Sequence, residues 1–395
     1  TPADAAAAAP REATGNTQPG GRSGFTASQQ AIATIPGIPE ARFWGDSEAD
    51  YLRILGGIGG DWLALSAGGE DSGFGAGLLT GLSQSGRRPD YTVVTGVSSG
   101  ALLAPFVFLG SSRDAEMRDN FMALNAAEVF EDHRTPESLL DTWPLRDFIK
   151  KRITPELIAA VAAEHKRGRR LIVLTANLDA ARPVAWNMGA IAAAGTEASA
   201  KLFRDVLVAS SAIPGLFPPM MIESETGGQR LQEMHVDGGL AATIYAAPDT
   251  MLLATSTQRL PMSTLTIIVN GKLMSEFSVT DRSLVAVLGR SLSVGVKRGS
   301  RSTAVLASGA ARRSGIPFNL AFVDQSFNYP SRGMFDAAYM KALFESGLAQ
   351  GKSAAPFVSA VPGTPGAEDA PQAQGKPVEG RTTEGSAAAG GSSAQ

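Results

Sequence analysis

The stretch that decides the fold is Tyr91-Thr-Val-Val-Thr-Gly-Val-Ser-Ser-Gly100. It opens with a β-branched run, continues into a Gly-x-Ser-x-Gly turn and leads into the apolar residues 101–109. A strand, a sharp turn and a helix in this order are the context in which a nucleophile elbow forms. Such a turn would strain the backbone of Ser98 and raise its hydroxyl above the sheet edge, with Gly96 and Gly100 avoiding collisions across it. We therefore predict Ser98 as a nucleophile, the alternative being a turn that only joins strand to helix.

Three further apolar runs have the character of buried strands, at residues 62–66, 171–175 and 264–269. Helical patterns separate them, and a closing amphipathic helix is predicted after Arg332. Continuous apolar strands interleaved with helices are typical of a mostly parallel sheet that helices cover on both faces. The sequence therefore predicts an α/β fold.

The composition is that of a globular chain, since 44% of the 395 residues are apolar. A net charge of −3 is too balanced to predict a nucleic-acid partner. The absence of Cys excludes disulfides, thiolate metal sites and Cys nucleophiles. The three His residues are far apart in sequence, which argues against a His-rich metal site. We expect no metal and no cofactor. The sequence makes no prediction of oligomeric state.

The two ends differ in composition from the middle. Residues 1–24 contain no bulky apolar side chain, and residues 351–395 are rich in Ala, Gly, Pro and Ser. Such segments cannot bury enough surface to offset their ordering entropy. We expect a flexible leader over 1–40, one folded domain over 41–350 and a disordered tail over 351–395. A polar leader and the absence of Cys favour export to the bacterial cell envelope, either periplasmic or anchored through a lipid-modified Cys before Thr1, with a cytoplasmic location as the alternative.

A glycine turn follows the first predicted strand. Gly68 and Gly69 could expose backbone N–H groups about 3 Å from a developing oxyanion. The rival interpretation is a dinucleotide loop, but Gly73-x-Gly-x-Gly77 does not match the required spacing and no Walker lysine follows. Close packing of helix on strand accounts for the glycines at 75 and 77.

An acidic candidate lies in His235-Val-Asp237-Gly238-Gly239. Asp237 on this tight turn could present its carboxylate to a serine hydroxyl at a sheet edge. A lone Asp-Gly-Gly is more often a plain turn, and only its company with the two other motifs makes Asp237 a candidate base. His235 shares a strand face with Asp237 and could also act as a base. Its closeness to Asp237 in the chain favours a packing role, and His133 and His165 are expected to be solvated.

The order of glycine turn, Gly-x-Ser-x-Gly and Asp-Gly-Gly resembles the patatin-like phospholipases. The stretch Ala209-Ser-Ser-Ala-Ile-Pro-Gly-Leu-Phe-Pro-Pro219 is similar to that family's signature, and residues 177–179 and 186–190 fit a bacterial branch of it. The resemblance covers about 60–345. It implies a three-layer α/β/α sandwich that hydrolyses acyl esters with a Ser–Asp dyad. Ser98 would then be the nucleophile, Asp237 its base, and Gly68 and Gly69 the oxyanion-hole donors.

Glu70 and Asp71 depart from this pattern, because the family's glycine turn usually continues with a cation. Two carboxylates beside an oxyanion hole would oppose negative charge unless they turn outward or meet a cation. The predicted function is a serine acyl hydrolase of lipid esters, similar to phospholipase A or lysophospholipase. The alternatives are a soluble esterase or thioesterase acting on small acyl substrates, and a non-catalytic lipid-binding envelope protein.

Apolar residues near the nucleophile suit an acyl chain. Phe74 is the candidate for an acyl site, whereas Leu102, Leu103 and Phe106 on the elbow helix are interpreted as core. The basic residues at 297–301 are interpreted as a solvated loop, with contact to a membrane surface as the alternative.

Overall fold

A computed structural model of the chain describes Arg22 and residues 24–364. Within these residues nine strands form one sheet. The strands are β1 Arg42–Trp44, β2 Asp61–Leu65, β3 Val93–Val97, β4 Arg170–Asn177, β5 Arg182–Asn187, β6 Met220–Thr226, β7 Gln229–Asp237, β8 Thr264–Val269 and β9 Phe318–Phe322. The α-helices are α1 Ala27–Ile32, α2 Glu48–Leu55, α3 Gly73–Gln84, α4 Ser99–Leu109, α5 Asp114–Ala123, α6 Ala126–Val129, α7 Trp143–Arg152, α8 Pro155–Lys166, α9 Met188–Ala193, α10 Glu197–Ser210, α11 Asp249–Leu252, α12 Leu284–Ser314 and α13 Ala337–Lys352.

The centre of the sheet is parallel. Strands β4, β3, β2, β8 and β9 pair in that order and all in parallel. β5 and β1 extend the sheet beyond β4 in antiparallel orientation, and the β6–β7 hairpin also joins through β4. The predicted runs at 62–66, 171–175 and 264–269 correspond to β2, β4 and β8.

Side-chain alternation along the strands builds two cores, one on each face of the sheet. On β2, Leu63 and Leu65 pack with the large layer that contains α3, α4, α8, α10 and α13. Trp62 and Ala64 point the opposite way, toward α2, α11 and the second half of α12. Period-two burial on both faces is what a sheet between two helical layers requires. The three-layer α/β/α prediction is confirmed. Among the described helices none is both long and apolar enough to cross a membrane.

The predicted leader boundary at residue 40 is wrong. Thr26 and Gln29 form a capping box that starts α1, Thr34 pairs with Glu225 at the edge of β6, and Ile35 is buried. These contacts offset the ordering entropy that the composition alone suggested would dominate.

The predicted boundary between the folded domain and the tail, at residue 350, is too early. Leu320 on β9 pairs with Val358, and Val361 is fully buried. Residues 351–364 therefore belong to the folded unit. Residues 1–21, residue 23 and residues 365–395 lie outside the described part of the chain, and the flexible leader and tail expected there stay predictions.

Candidate active site

Ser98 occupies the sharp turn between β3 and α4. Its backbone has φ of 57° and ψ of −128°, a conformation that non-glycine residues rarely adopt. From this position its Oγ donates a hydrogen bond of 2.6 Å to Oδ2 of Asp237, which is 139 residues away in sequence. The predicted nucleophile and the predicted base are therefore in direct contact. Strain of this kind persists only where the surrounding structure enforces it.

Three neighbours enforce the elbow. A Cβ at Gly96 would lie 2.7 Å from the Cα of Ala101, and a Cβ at Gly100 would lie 2.5 Å from the carbonyl oxygen of Ser66. Close backbone approach therefore leaves no room for a side chain at either elbow glycine. The Ser98 N–H also donates to Oγ of Ser210 at 2.9 Å, and that hydroxyl donates to the Leu174 carbonyl at 2.7 Å. The sequence pattern alone does not indicate this contact of Ser210 with the elbow.

Strand β7 brings Asp237 to this turn. β3 pairs with the first part of β4 and ends where Val97 faces Leu174. β7 takes over at the next residue of β4, so that Asp237 faces Thr175. Asp237 therefore lies directly beyond the carboxyl end of β3, where Ser98 begins the elbow.

The Asp-Gly-Gly turn fixes the carboxylate. Oδ1 of Asp237 accepts a hydrogen bond of 2.7 Å from the Gly239 N–H, which leaves Oδ2 for Ser98. A Cβ at Gly238 would lie 2.3 Å from the Leu174 carbonyl oxygen, so only glycine fits there. Burial raises the pKa of Asp237 to about 6, and the hydrogen bonds from Ser98 and Gly239 limit the rise. The carboxylate is thus a stronger base than an exposed aspartate while staying ionised at neutral pH.

The glycine turn after β2 lies against the elbow. A Cβ on Gly68 would lie 2.2 Å from the Asn270 carbonyl oxygen, and Gly69 has a φ of +57° with open space beside it. Neither N–H group donates a hydrogen bond within residues 24–364. The hydroxyls of Ser72 and Ser99 join the end of this turn to the start of α4 at 2.6 Å. Two backbone donors without a partner in the described part of the chain, on a turn that packs against the elbow helix, are suitable components of an oxyanion hole.

Comparison with known proteins fits this geometry. A sequence model of the family described as Patatin-like phospholipase matches residues 63–248. This part of the chain belongs to the patatin-like phospholipase family. The match begins in β2 and extends past the Asp-Gly-Gly turn, so it contains every predicted site residue. The family acts on lipids, which indicates a lipid acyl hydrolase.

Among solved structures, VipD from Legionella pneumophila is similar to this chain at 11% sequence identity, with a TM-score of 0.38. The likeness covers 81% of this chain and 68% of that one. A search of curated proteins gave no match.

The two carboxylates that follow the glycine turn of this patatin-like domain point away from it. Glu70 accepts hydrogen bonds from the backbone N–H groups of Phe335 and Asp336. Oδ1 of Asp71 accepts a hydrogen bond of 2.7 Å from the Tyr339 hydroxyl. Burial raises the pKa of Glu70 to about 7 and that of Asp71 to about 6. Both carboxylates therefore tie the turn to the start of α13, and the expected conflict with an oxyanion is relieved by this orientation.

His235 is fully buried away from the Ser98 hydroxyl. Its Nδ1 lies 2.9 Å from Oγ1 of Thr175, and its Nε2 lies 3.5 Å from Oε2 of Glu233. Its ring packs on Trp186, with centroids 5.4 Å apart. Burial lowers the pKa of His235, which keeps the ring neutral. These contacts support the packing role predicted for His235.

The two other histidines differ from each other. His133 is exposed, as expected, whereas His165 is half-buried against Gly189. Burial, followed by the charge of Arg170, lowers the pKa of His165 to about 4. The prediction that His165 is solvated is therefore wrong.

An apolar pocket opens beside the elbow helix. Its lining comes from α4, α5, α7 and the residues that follow α5 and α7: Leu102, Leu103, Phe106, Met117, Asn120, Phe121, Leu124, Phe148, Ile149, Arg152 and Ile153. Leu102 lies on the first turn of α4, four residues after Ser98 in sequence. Phe74, the residue predicted for an acyl site, is fully buried in the core and does not line this pocket. The structure thus gives no support to Phe74 as an acyl-site residue, whereas Leu103 and Phe106 are buried core residues, as interpreted, that also line this pocket.

A second, more polar pocket lies between the segment from Arg22 to Ala31 and the turn that joins β4 to β5. Trp44, Asp179 and Arg182 contribute to its lining. It contains none of the predicted site residues.

Proposed function

We propose that this chain is a serine hydrolase of lipid acyl esters, similar in activity to phospholipase A or lysophospholipase, with Ser98 as nucleophile and Asp237 as base. The observation that carries the proposal is the 2.6 Å hydrogen bond between these two side chains on a strained elbow. A nucleophile within hydrogen-bond reach of its base is the arrangement that covalent acyl transfer needs.

In the first half of the reaction, Oγ of Ser98 attacks the ester carbonyl carbon while Oδ2 of Asp237 accepts the hydroxyl proton. The carbonyl oxygen becomes an oxyanion, stabilised by the N–H groups of Gly68 and Gly69 and by the N-terminus of α4. Collapse of this intermediate breaks the ester bond. The proton on Asp237 passes to the departing alcohol oxygen, and the acyl group stays on Ser98.

In the second half, water attacks the acyl carbon and Asp237 accepts a proton from it. The second tetrahedral intermediate expels Oγ of Ser98, which regains its proton, and the fatty acid leaves. Loss of a single oxyanion donor lowers turnover by about 10²–10³, so we expect the glycine turn to contribute substantially to the rate.

The apolar pocket supports a lipid substrate. Leu102, Leu103 and Phe106 present apolar surface one turn along α4 from the nucleophile, and α5 and α7 form the opposite wall. We propose that the acyl chain of the substrate packs against these apolar side chains. Burial of a chain stabilises the complex by about 0.8 kcal/mol for each methylene removed from water.

The test is release of fatty acid from defined lipids. Phosphatidylglycerol, lysophosphatidylcholine and diacylglycerol with different acyl chains would be incubated with wild type and with Ser98→Ala, and the free fatty acids identified by mass spectrometry. We expect release by the wild type and none by the variant. Turnover confined to short, soluble esters would replace the lipid proposal with a small-substrate esterase, and equal release by both proteins would refute the role of Ser98.

A further inference from the structure

We propose that residues 272–299, the docking surface, bind the face of a bilayer that contains anionic lipid. This surface consists of the loop after β8 and the first half of α12. The inference concerns binding to intact membranes and stands independently of the hydrolysis step.

The first half of α12 is poorly buried for a helix of this length. Between residues 281 and 299 no described side chain is buried. The second half is anchored on the sheet through small side chains, among them Ser300, Ala304 and Ala307. The C-terminal half of α12 is therefore held against the sheet, whereas its N-terminal half is exposed.

An apolar stripe runs along the outward side of this half. Leu284, Val287 and Val294 are 60%, 49% and 48% exposed. Their spacing of three and seven residues, continued by Arg298, places them on one face of the helix. Leu288 and Leu292, on another face, pack against the body of the protein. The stripe therefore stays exposed, because the helix packs against the protein through its other face.

The preceding loop adds larger side chains. Phe277 is 95% exposed and Val279 is 82% exposed, the highest values among the large apolar residues of the described chain. Scattered single apolar residues are normal on a surface, but a contiguous group of this size indicates an interaction site.

The charges select an anionic partner. Residues 272–299 include five arginines or lysines and two acidic residues, Glu276 and Asp281, a net charge of +3. Glu276 in the loop is already paired with Lys272 and Lys297. Arg282 and Arg298 are exposed and have no carboxylate within 4 Å among the described residues. Apolar side chains flanked by unpaired cations are what binding to an anionic bilayer surface requires.

The docking surface adjoins the catalytic turn. Asn270, two residues before it, contacts Gly68, and the backbone of Gly271 approaches the Asp71 carboxylate. Lys297 and Lys272 are close enough to lower the pKa of Asp71 against the effect of burial. A membrane seated on this surface would therefore present its lipids beside the oxyanion turn.

The test uses the whole protein and vesicles of ether-linked phospholipids, which have no ester to hydrolyse. Co-sedimentation would be compared for phosphatidylcholine alone and for a phosphatidylcholine–phosphatidylglycerol mixture at two salt concentrations. We expect binding to the anionic vesicles that weakens as salt rises. The double variant Phe277→Ser/Val279→Ser should weaken binding at least about 10-fold through lost apolar insertion. Arg282→Glu/Arg298→Glu should weaken it by a similar factor and flatten the salt dependence.

Matched controls are Ile32→Ser, a 72% exposed apolar side chain on α1, and Arg259→Glu, an exposed cation outside the docking surface. Both should bind as the wild type does. Hydrolysis of a short soluble ester should be unchanged in all four variants, which separates docking from catalysis. Absence of binding to anionic vesicles, or binding that the two docking variants leave unchanged, would overturn the proposal. A dimer in solution that Phe277→Ser/Val279→Ser abolishes, with no vesicle binding, would assign the surface to a second copy of the chain.

Discussion

Replacing Asp237 by Asn should stabilise the protein at neutral pH while it strongly lowers turnover. The buried carboxylate has a pKa raised from 3.8 to about 6, so its ionised form is disfavoured in the folded protein. The difference between these two pKa values corresponds to about 3 kcal/mol in the free energy of unfolding. Below about pH 4 this carboxyl is protonated in both the folded and the unfolded chain, so it does not affect stability. As pH rises, the unfolded chain loses the proton first, and the free energy of unfolding of the wild type therefore falls until about pH 6. Asn at this position does not ionise.

The assay is urea unfolding of wild type and Asp237→Asn at pH 4, 6 and 8. The free energy of unfolding of the variant, minus that of the wild type, should increase by about 3 kcal/mol from the lowest to the highest pH. Taking this difference removes the contributions of Glu70 and Asp71, which both proteins share. Turnover should fall by about 10²–10⁴ in the variant, and wild-type turnover should rise with pH through about 6 as the base ionises. A pH-independent stability difference would refute the burial of a charged Asp237.

Three further substitutions test the surrounding structure. Gly68→Ala should lower turnover by about 10²-fold, because its Cβ would meet Asn270 and displace an oxyanion donor, as steady-state kinetics would show. Leu102→Trp should lower turnover of long-chain esters at least about 10-fold and spare short ones, measured over a series of acyl lengths. Arg42→Met should destabilise the fold by about 3–5 kcal/mol in urea unfolding, because it leaves the fully buried Glu233 without its cation.

Each of these has a matched control. Gly57→Ala meets no atom within 4 Å and should keep full turnover. Leu178→Trp, at an exposed leucine, should leave the chain-length profile unchanged. Arg53→Met breaks exposed ion pairs with Asp50 and Glu40 and should cost no more than about 1 kcal/mol. A control that behaves like its test variant would contradict the corresponding explanation.

The elbow could be predicted from sequence because local chemistry dictates it. The strand, the two glycines and the helix are contiguous, and the steric reasons for Gly96 and Gly100 hold whatever packs around them. Asp237 was harder, because its strand is rich in polar side chains, including the fully buried Glu233 that Arg42 neutralises. Periodicity of apolar residues could not identify such a strand. The pairing of β7 with β4, just beyond the end of β3, joins segments that are distant in sequence and cannot be read from a local pattern.

Other features depended on contacts distant in sequence. Phe74 is close to the glycine turn along the chain, but the phase of α3 turns it into the core. The basic residues at 297–301, predicted as a loop, lie within α12, whose glycines and valines give it low helix propensity. Asn270 is a polar residue at the end of a predicted strand, which was the only sequence signal for it. Its contact with Gly68 could not be predicted from that signal. For Ser210, the sequence offers no signal beyond its place in the family-like stretch 209–219.

The central claim is that Ser98, activated by Asp237, is the nucleophile. The most direct measurement is labelling with a fluorophosphonate probe followed by mass mapping of the adduct, in wild type, Ser98→Ala, Asp237→Asn and Ser99→Ala. Ser99 is the matched control, because it is the adjacent hydroxyl and bonds to Ser72 instead of to the carboxylate. We predict an adduct on Ser98 in the wild type and in Ser99→Ala, and none in the other two. Labelling that persists in Ser98→Ala, or folded wild-type protein that takes up no probe, would contradict it.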